Sequence, residues 1–172
     1  MHGDDERQFT SWVDARAPAL RRTAFLICGD WHAADDAAQT TLTKLYLAWP
    51  RLSRRDEIDG YAWRVLVRSL TDEWRRPWRR REHPVDLVPD RAAADDPTAR
   101  LDRQRLVLDA LAGLPGRQRA ALVLRFWQDL SIEQTAAALG CSAGAVKSHT
   151  ARGLQTLRGR LGDQFLVESE GV

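Results

Sequence analysis

Apolar residues in this chain recur every three or four positions and nowhere alternate one for one. That is the period of helices with one buried stripe, and it predicts an all-α protein without strands. The clearest stretch is SIEQTAAALGCSAGAVKSHTARGLQTLR, residues 131–158. Ser131 with Gln134 three positions on has the spacing of a capping box, so a helix starts there. Ile132, Ala136 and Leu139 follow at helical spacing, and Gly140 stands where a helix ends in a left-handed residue. Ser142 can cap the next helix. There Val146, Thr150, Gly153, Leu154 and Leu157 share one face. Ser148, Arg152 and Gln155 lie opposite, with Lys147 and His149 on the flanks. Helix, tight turn and helix form a helix-turn-helix.

Upstream, Phe9, Val13 and Arg16 open a first helix, which Pro18 is expected to kink or restart. Gly29-Asp30 reads as a stop followed by a cap. Trp31, Ala38, Leu42, Leu45 and Trp49 form one stripe of a second helix ending at Trp49-Pro50. Residues 51–60, RLSRRDEIDG, are expected to be a charged loop, with a third helix beginning near Tyr61. Its inward side carries Ala62, Val65, Leu66, Ser69 and Leu70; Arg64, Arg68, Thr71 and Arg75 line the other side. Residues 83–99 hold three prolines and four aspartates and show no period, which is linker composition. Leu101, Arg105, Leu108 and Leu111 lie on a further helix that stops before Leu114-Pro115-Gly116, and residues 117–128 form another. The expected fold is all-α: two small helical domains, 1–82 and 101–161, joined by a flexible acidic linker over 83–100. The C-terminal domain carries the helix-turn-helix, and a tail, 162–172, frays.

A length of 172 residues with 44% hydrophobic content supports real cores. No apolar run approaches the roughly 20 residues of a membrane span, and the N-terminus lacks a signal-peptide core. Cytoplasmic residence without membrane contact is the default expectation. Cys28 and Cys141 stand apart, with no Cys/His ligand spacing, so neither metal nor cofactor is expected. Gly-rich phosphate loops, GxSxG and HExxH are absent, and His2, His32, His83 and His149 are scattered. Asp35-Asp36 and Asp95-Asp96 are sequence neighbours that diverge on a helix. The chain is therefore not expected to be an enzyme or to take a small-molecule substrate.

Net charge is only +2, so the placement of charge matters more than its sum. The basic residues are arginines except for Lys44 and Lys147, an excess that GC-rich coding bias explains for the most part. Residues 75–81, RRPWRRR, put five arginines in seven positions, close to Trp63, Trp74 and Trp78. Arginines pair with phosphates, and exposed tryptophans stack on unpaired bases. The same residues also fit a buried tryptophan under a solvated face, and Trp63 suits either role. The outward face of the last helix carries donors and positive charge, which suits a major groove, with packing in a plain helical bundle as the alternative. Asp35, Asp36, Gln39, Thr43 and Leu47 mix acids with an exposed leucine. That face fits a basic protein partner or simple solvation.

Three segments carry a family resemblance. ADDAAQTTLTKLYLAW (34–49) and YAWRVLVRSLTDEWRR (61–76) resemble consecutive helices of the second region of bacterial sigma factors. Residues 108–158, with LxxLPxxQRxxLxLRxxxxLSxxQxAxxLGCSxGxVKS, resemble the fourth region. The layout is similar to the extracytoplasmic-function branch, especially its small actinobacterial members. The resemblance implies a promoter-specificity subunit of RNA polymerase. In that role Asp35, Asp36 and Gln39 bind the clamp helices of the core enzyme's largest subunit. Loop 51–60 and helix 61–76 melt the minus-ten element and hold its non-template strand; the arginines concerned are Arg64, Arg68, Arg75, Arg76, Arg79 and Arg80. The linker threads toward the active centre and the RNA exit path. Ser142, Lys147, Ser148, His149 and Arg152 contact the minus-thirty-five element. An anti-sigma factor is the typical further partner of the branch, although no residue identifies one. The chain departs from the family's pattern at Arg68, where Asn is usual, and at Ala145 and His149, in place of Thr and Arg. Two other readings are a stand-alone helix-turn-helix regulator, which binds duplex tightly without polymerase, and a helical adaptor without sequence preference.

Overall fold

The computed structural model describes residues 3–52, 55–70 and 97–162. Seven α-helices build it, and these residues contain no strand. The N-terminal group is α1 (Gly3–Cys28), α2 (Trp31–Ala48) and α3 (Arg55–Leu70). The C-terminal group is α4 (Pro97–Ala112), α5 (Gly116–Leu122), α6 (Ile132–Leu139) and α7 (Ala143–Leu161).

Helix α1 runs through Pro18 without a restart. An internal proline costs about 3 kcal/mol through a lost hydrogen bond and a clash. The half beyond Pro18 offsets this by burying Leu20, Thr23, Ala24, Phe25, Leu26, Ile27 and Cys28. The stop and cap at Gly29-Asp30 are present. Gly29 has φ 73°, and the Asp30 carboxylate accepts from the amides of His32 at 2.8 Å and Ala33 at 3.2 Å. Helix α2 buries Ala34, Ala37, Ala38, Thr41 and Leu45 and ends in a 3-10 turn, Trp49–Arg51.

Helix α3 starts at Arg55, so the loop expected to extend to residue 60 is already helical. The cause lies in α1. Trp12 donates to Asp59 Oδ1 at 2.8 Å and Arg16 to Asp59 Oδ2 at 2.8 Å, which anchors the early turns of α3. Ala62, Trp63, Val65, Leu66, Val67 and Leu70 are buried. Trp63 is thus core, and its ring is not a stacking platform.

In the C-terminal group, α4 starts at Pro97, ahead of the helix start expected near Arg100. The helix expected over 117–128 divides. After α5 a π-helical turn, Val123–Trp127, takes over. The Gln128 amide donates to the Val123 carbonyl at 3.2 Å, and Leu130 to Leu124 at 3.1 Å. Asp129 turns the chain at φ 52°, and the Arg125 guanidinium donates to the Leu130 carbonyl. The wider turn buries Val123 and Leu124 and leaves Phe126 exposed. Arg119 is buried and donates to the Leu111 carbonyl near the end of α4 at 3.5 Å. Burial lowers its pKa to about 10, partly offset by Cys28, so it stays cationic at neutral pH.

The two groups also pack on each other. Helix α3 lies against α6, and α1 touches α5 and the π turn. Gln128 Nε2 donates to Thr23 Oγ1 at 2.5 Å across this seam. One continuous apolar core runs from Trp12 to Val146 through both groups.

Candidate nucleic-acid and partner-binding surfaces

The helix-turn-helix forms as its local signals require. Gln134 N donates to Ser131 Oγ at 3.0 Å, and Ser131 N to Gln134 Oε1 at 2.8 Å. Gly140 takes φ 63°, and Ala145 N donates to Ser142 Oγ at 3.1 Å. Val146 and Gly153 of α7 face the core. Gly153 sits so close to α5 that an added Cβ lies 2.7 Å from Leu122 Cδ1. This contact fixes α7 with Lys147, Ser148, Arg152 and Gln155 all exposed on its far side. Ser142 is exposed too, but its hydroxyl is already engaged as the cap.

His149 is half-buried. Burial first, then the positive charges of Arg117 and Arg152, push its pKa below the ordinary imidazole value. It therefore stays neutral where a free imidazole begins to charge. A neutral imidazole is a weaker hydrogen-bond donor to an anion than the arginine usual at this position in the family. Arg117, exposed at the start of α5, belongs to the same positive surface. Sequence reasoning passed over it, because its relation to His149 comes from folding across 32 positions. At the start of α6, Glu133 is held below the usual carboxylate range, foremost by hydrogen bonding to its own backbone amide.

On α3, Arg64 and Arg68 are exposed, as the row of outward arginines predicts. Both line a cleft against α6, together with Arg117 and residues 137–140. The seam thus brings the first positions of the arginine row beside the helix-turn-helix. Arg75, Arg76, Arg79, Arg80, Arg81, Trp74 and Trp78 lie outside the described residues, as do linker positions 83–96 and the tail beyond 162.

The third surface is on α2. Asp35, Asp36, Gln39, Thr43 and Leu47 are exposed, Leu47 to 70%. Arg21 of α1 donates through Nε to Asp35 Oδ1 and through Nη2 to Asp35 Oδ2, the second contact at 3.2 Å. The hydrogen bond from Arg21 lowers the Asp35 pKa. Among the described residues no group of His, Cys, Asp and Glu is placed to hold a metal, and no helix is long and apolar enough to cross a membrane.

Comparison with known proteins places the chain in a family. Residues 12–80 match the family model for Sigma-70 region 2, and residues 104–157 that for Sigma-70, region 4. The RNA polymerase sigma-E factor of Streptomyces avermitilis is 39% identical over 154 residues, covering 90% of this chain and 85% of the relative. The ECF RNA polymerase sigma factor SigM of Mycobacterium tuberculosis is 32% identical over 143 residues, covering 83% and 71%. Among solved structures, the sigma factor RpoE of Bartonella quintana, in complex with the anti-sigma factor NepR, superposes with a TM-score of 0.70 at 23% identity. That match covers 91% of this chain and 98% of the other. The chain belongs to the sigma-70 family, in its extracytoplasmic-function branch, and is a sigma factor that directs bacterial RNA polymerase to promoters.

Proposed function

We propose that the three surfaces divide promoter recognition among them. Helix α7 enters the major groove of the minus-thirty-five element, with Lys147, Ser148, His149 and Arg152 toward bases and phosphates and Ser142 at its start. Arg64 and Arg68 of α3, continued by Arg75, Arg76, Arg79 and Arg80, hold the non-template strand of the minus-ten element. Asp36 and Gln39 of α2 dock on the clamp helices of the core polymerase, with Asp35, held by Arg21, at the edge of that face. The protein supplies recognition and leaves chemistry to the polymerase, in the cytoplasm. Domain limits of 1–82 and 101–161, with a linker between, accompany this reading, as does regulation by an anti-sigma factor.

The observation that carries it is the exposed row Lys147, Ser148 and Arg152 on a helix whose other face buries Val146 and Gly153. A stand-alone regulator needs the helix-turn-helix alone and leaves the acidic face of α2 without a task. Run-off transcription on genomic fragments, with core polymerase in the presence and absence of the protein, tests the proposal. Specific starts that require the protein support it, and a map of those starts defines both elements. Sequence-specific duplex binding without any such start favours the stand-alone regulator.

The seam adds one requirement. Helix α6 stands beside Arg64 and Arg68, where the minus-ten strand is to lie. Two elements separated along a duplex cannot both be reached while the groups are closed together. The seam therefore opens when the polymerase and promoter are engaged.

A further inference from the structure

On the reading that α2 docks on the polymerase, we infer that Arg21 is a positioning residue that withdraws Asp35 from the docking face and leaves Asp36 as its presented charge. The register of the helix separates the two acids. Successive helical residues differ by about 100° in direction. Thr43 and Leu47 therefore lie within about 20° of Asp36, and Gln39 about 60° to one side. Asp35 is the outlier, about 100° from Asp36 and turned toward α1. The face is thus an acid at one end, polar groups between, and Leu47 as an exposed apolar knob at the other.

Arg21 is built to hold its partner. Its guanidinium carbon lies 4.1 Å from the centroid of the Trp31 ring. Trp31 in turn stacks on buried Phe25, with centroids 4.0 Å apart and planes within 4°. The three-layer stack fixes the guanidinium plane, and its two donors meet the two oxygens of Asp35. A carboxylate held in this way presents little net charge to an incoming cation. Asp36 has no ion-pair partner among the described residues.

The affinity of the full chain for intact core polymerase, measured over a salt series, tests this division. Asp36→Asn is expected to weaken binding by about tenfold or more, and Asp35→Asn to stay within about threefold of wild type. Arg21→Gln releases a second carboxylate, so its binding becomes more salt-dependent. The double variant Arg21→Gln/Asp35→Asn returns to the wild-type slope, and Arg21→Lys, which keeps the charge, retains it. A merely structural Arg21 moves affinity without moving the slope. An equal loss for Asp35→Asn and Asp36→Asn, or an unchanged slope in Arg21→Gln, overturns the inference. Wild-type binding by both Asp36→Asn and Leu47→Ala overturns the docking face itself, and this inference with it.

Discussion

His149 feels the positive charges of Arg117 and Arg152 on the face proposed to meet the minus-thirty-five element, and its titration is expected to couple stability to DNA binding. Its folded pKa is below the ordinary 6.5. Below that ordinary value the unfolded chain binds more protons than the folded one, so stability falls as pH drops from about 6.5. A DNA phosphate has the opposite effect, because it favours the charged imidazole. Thermal melts of wild type and His149→Gln between about pH 7.5 and 5.5 are expected to converge toward the acidic end, as wild type alone loses this contribution. Promoter affinity of the wild-type holoenzyme is expected to rise over the same interval, and that of His149→Gln to rise less. Arg152→Ala is expected to cost about 1–3 kcal/mol of promoter affinity if the guanidinium meets a base edge. Holoenzyme binding to wild-type and base-substituted promoters checks this, and an unchanged sequence preference removes Arg152 from base readout.

Among the elements, those whose signals are local were legible and those anchored from afar were not. The capping box, Gly140 and the Ser142 cap each depend on residues within three or four positions. Their expected and observed geometries coincide for that reason. The start of α3 depends on Asp59, whose partners Trp12 and Arg16 stand 47 and 43 positions away. Helical period alone therefore does not mark its first turn and a half as helix. The π turn after α5 is similar: the helical period is interrupted where Val123 and Leu124 must both be buried. Gly153 lets α7 approach α5 closely on the side of the helix that faces the core. Gly153→Ala places a methyl 2.7 Å from Leu122 Cδ1, so α7 or Leu122 must shift. The expected cost is about 1–3 kcal/mol, less what alanine's better helix propensity returns. A thermal melt measures it, and an unchanged or raised melting temperature means that the contact yields easily.

For the whole molecule the question is whether the two groups stay closed in the free protein. The continuous core and the Gln128–Thr23 hydrogen bond favour closure. A compact chain of this length has a radius of gyration of about 16 Å. Small-angle scattering of the free protein is expected near that value, and a markedly larger one means that the seam is open before polymerase arrives. Holoenzyme assembly is expected to expose the seam, read as faster amide exchange in the segments of α3 and α6 that face each other.

What the chain determined by itself is the helical class, the order of its elements, the helix-turn-helix with its caps, and the row of exposed residues on α7. These follow from period and from contacts between near neighbours, which any sequence displays directly. Tertiary structure alone decided that Trp63 is core, that Arg117 joins His149, that Arg21 holds Asp35, and that α6 lies on the arginine row of α3. Each of these pairs groups from different helices, and only packing the apolar stripes together selects which polar side chains meet.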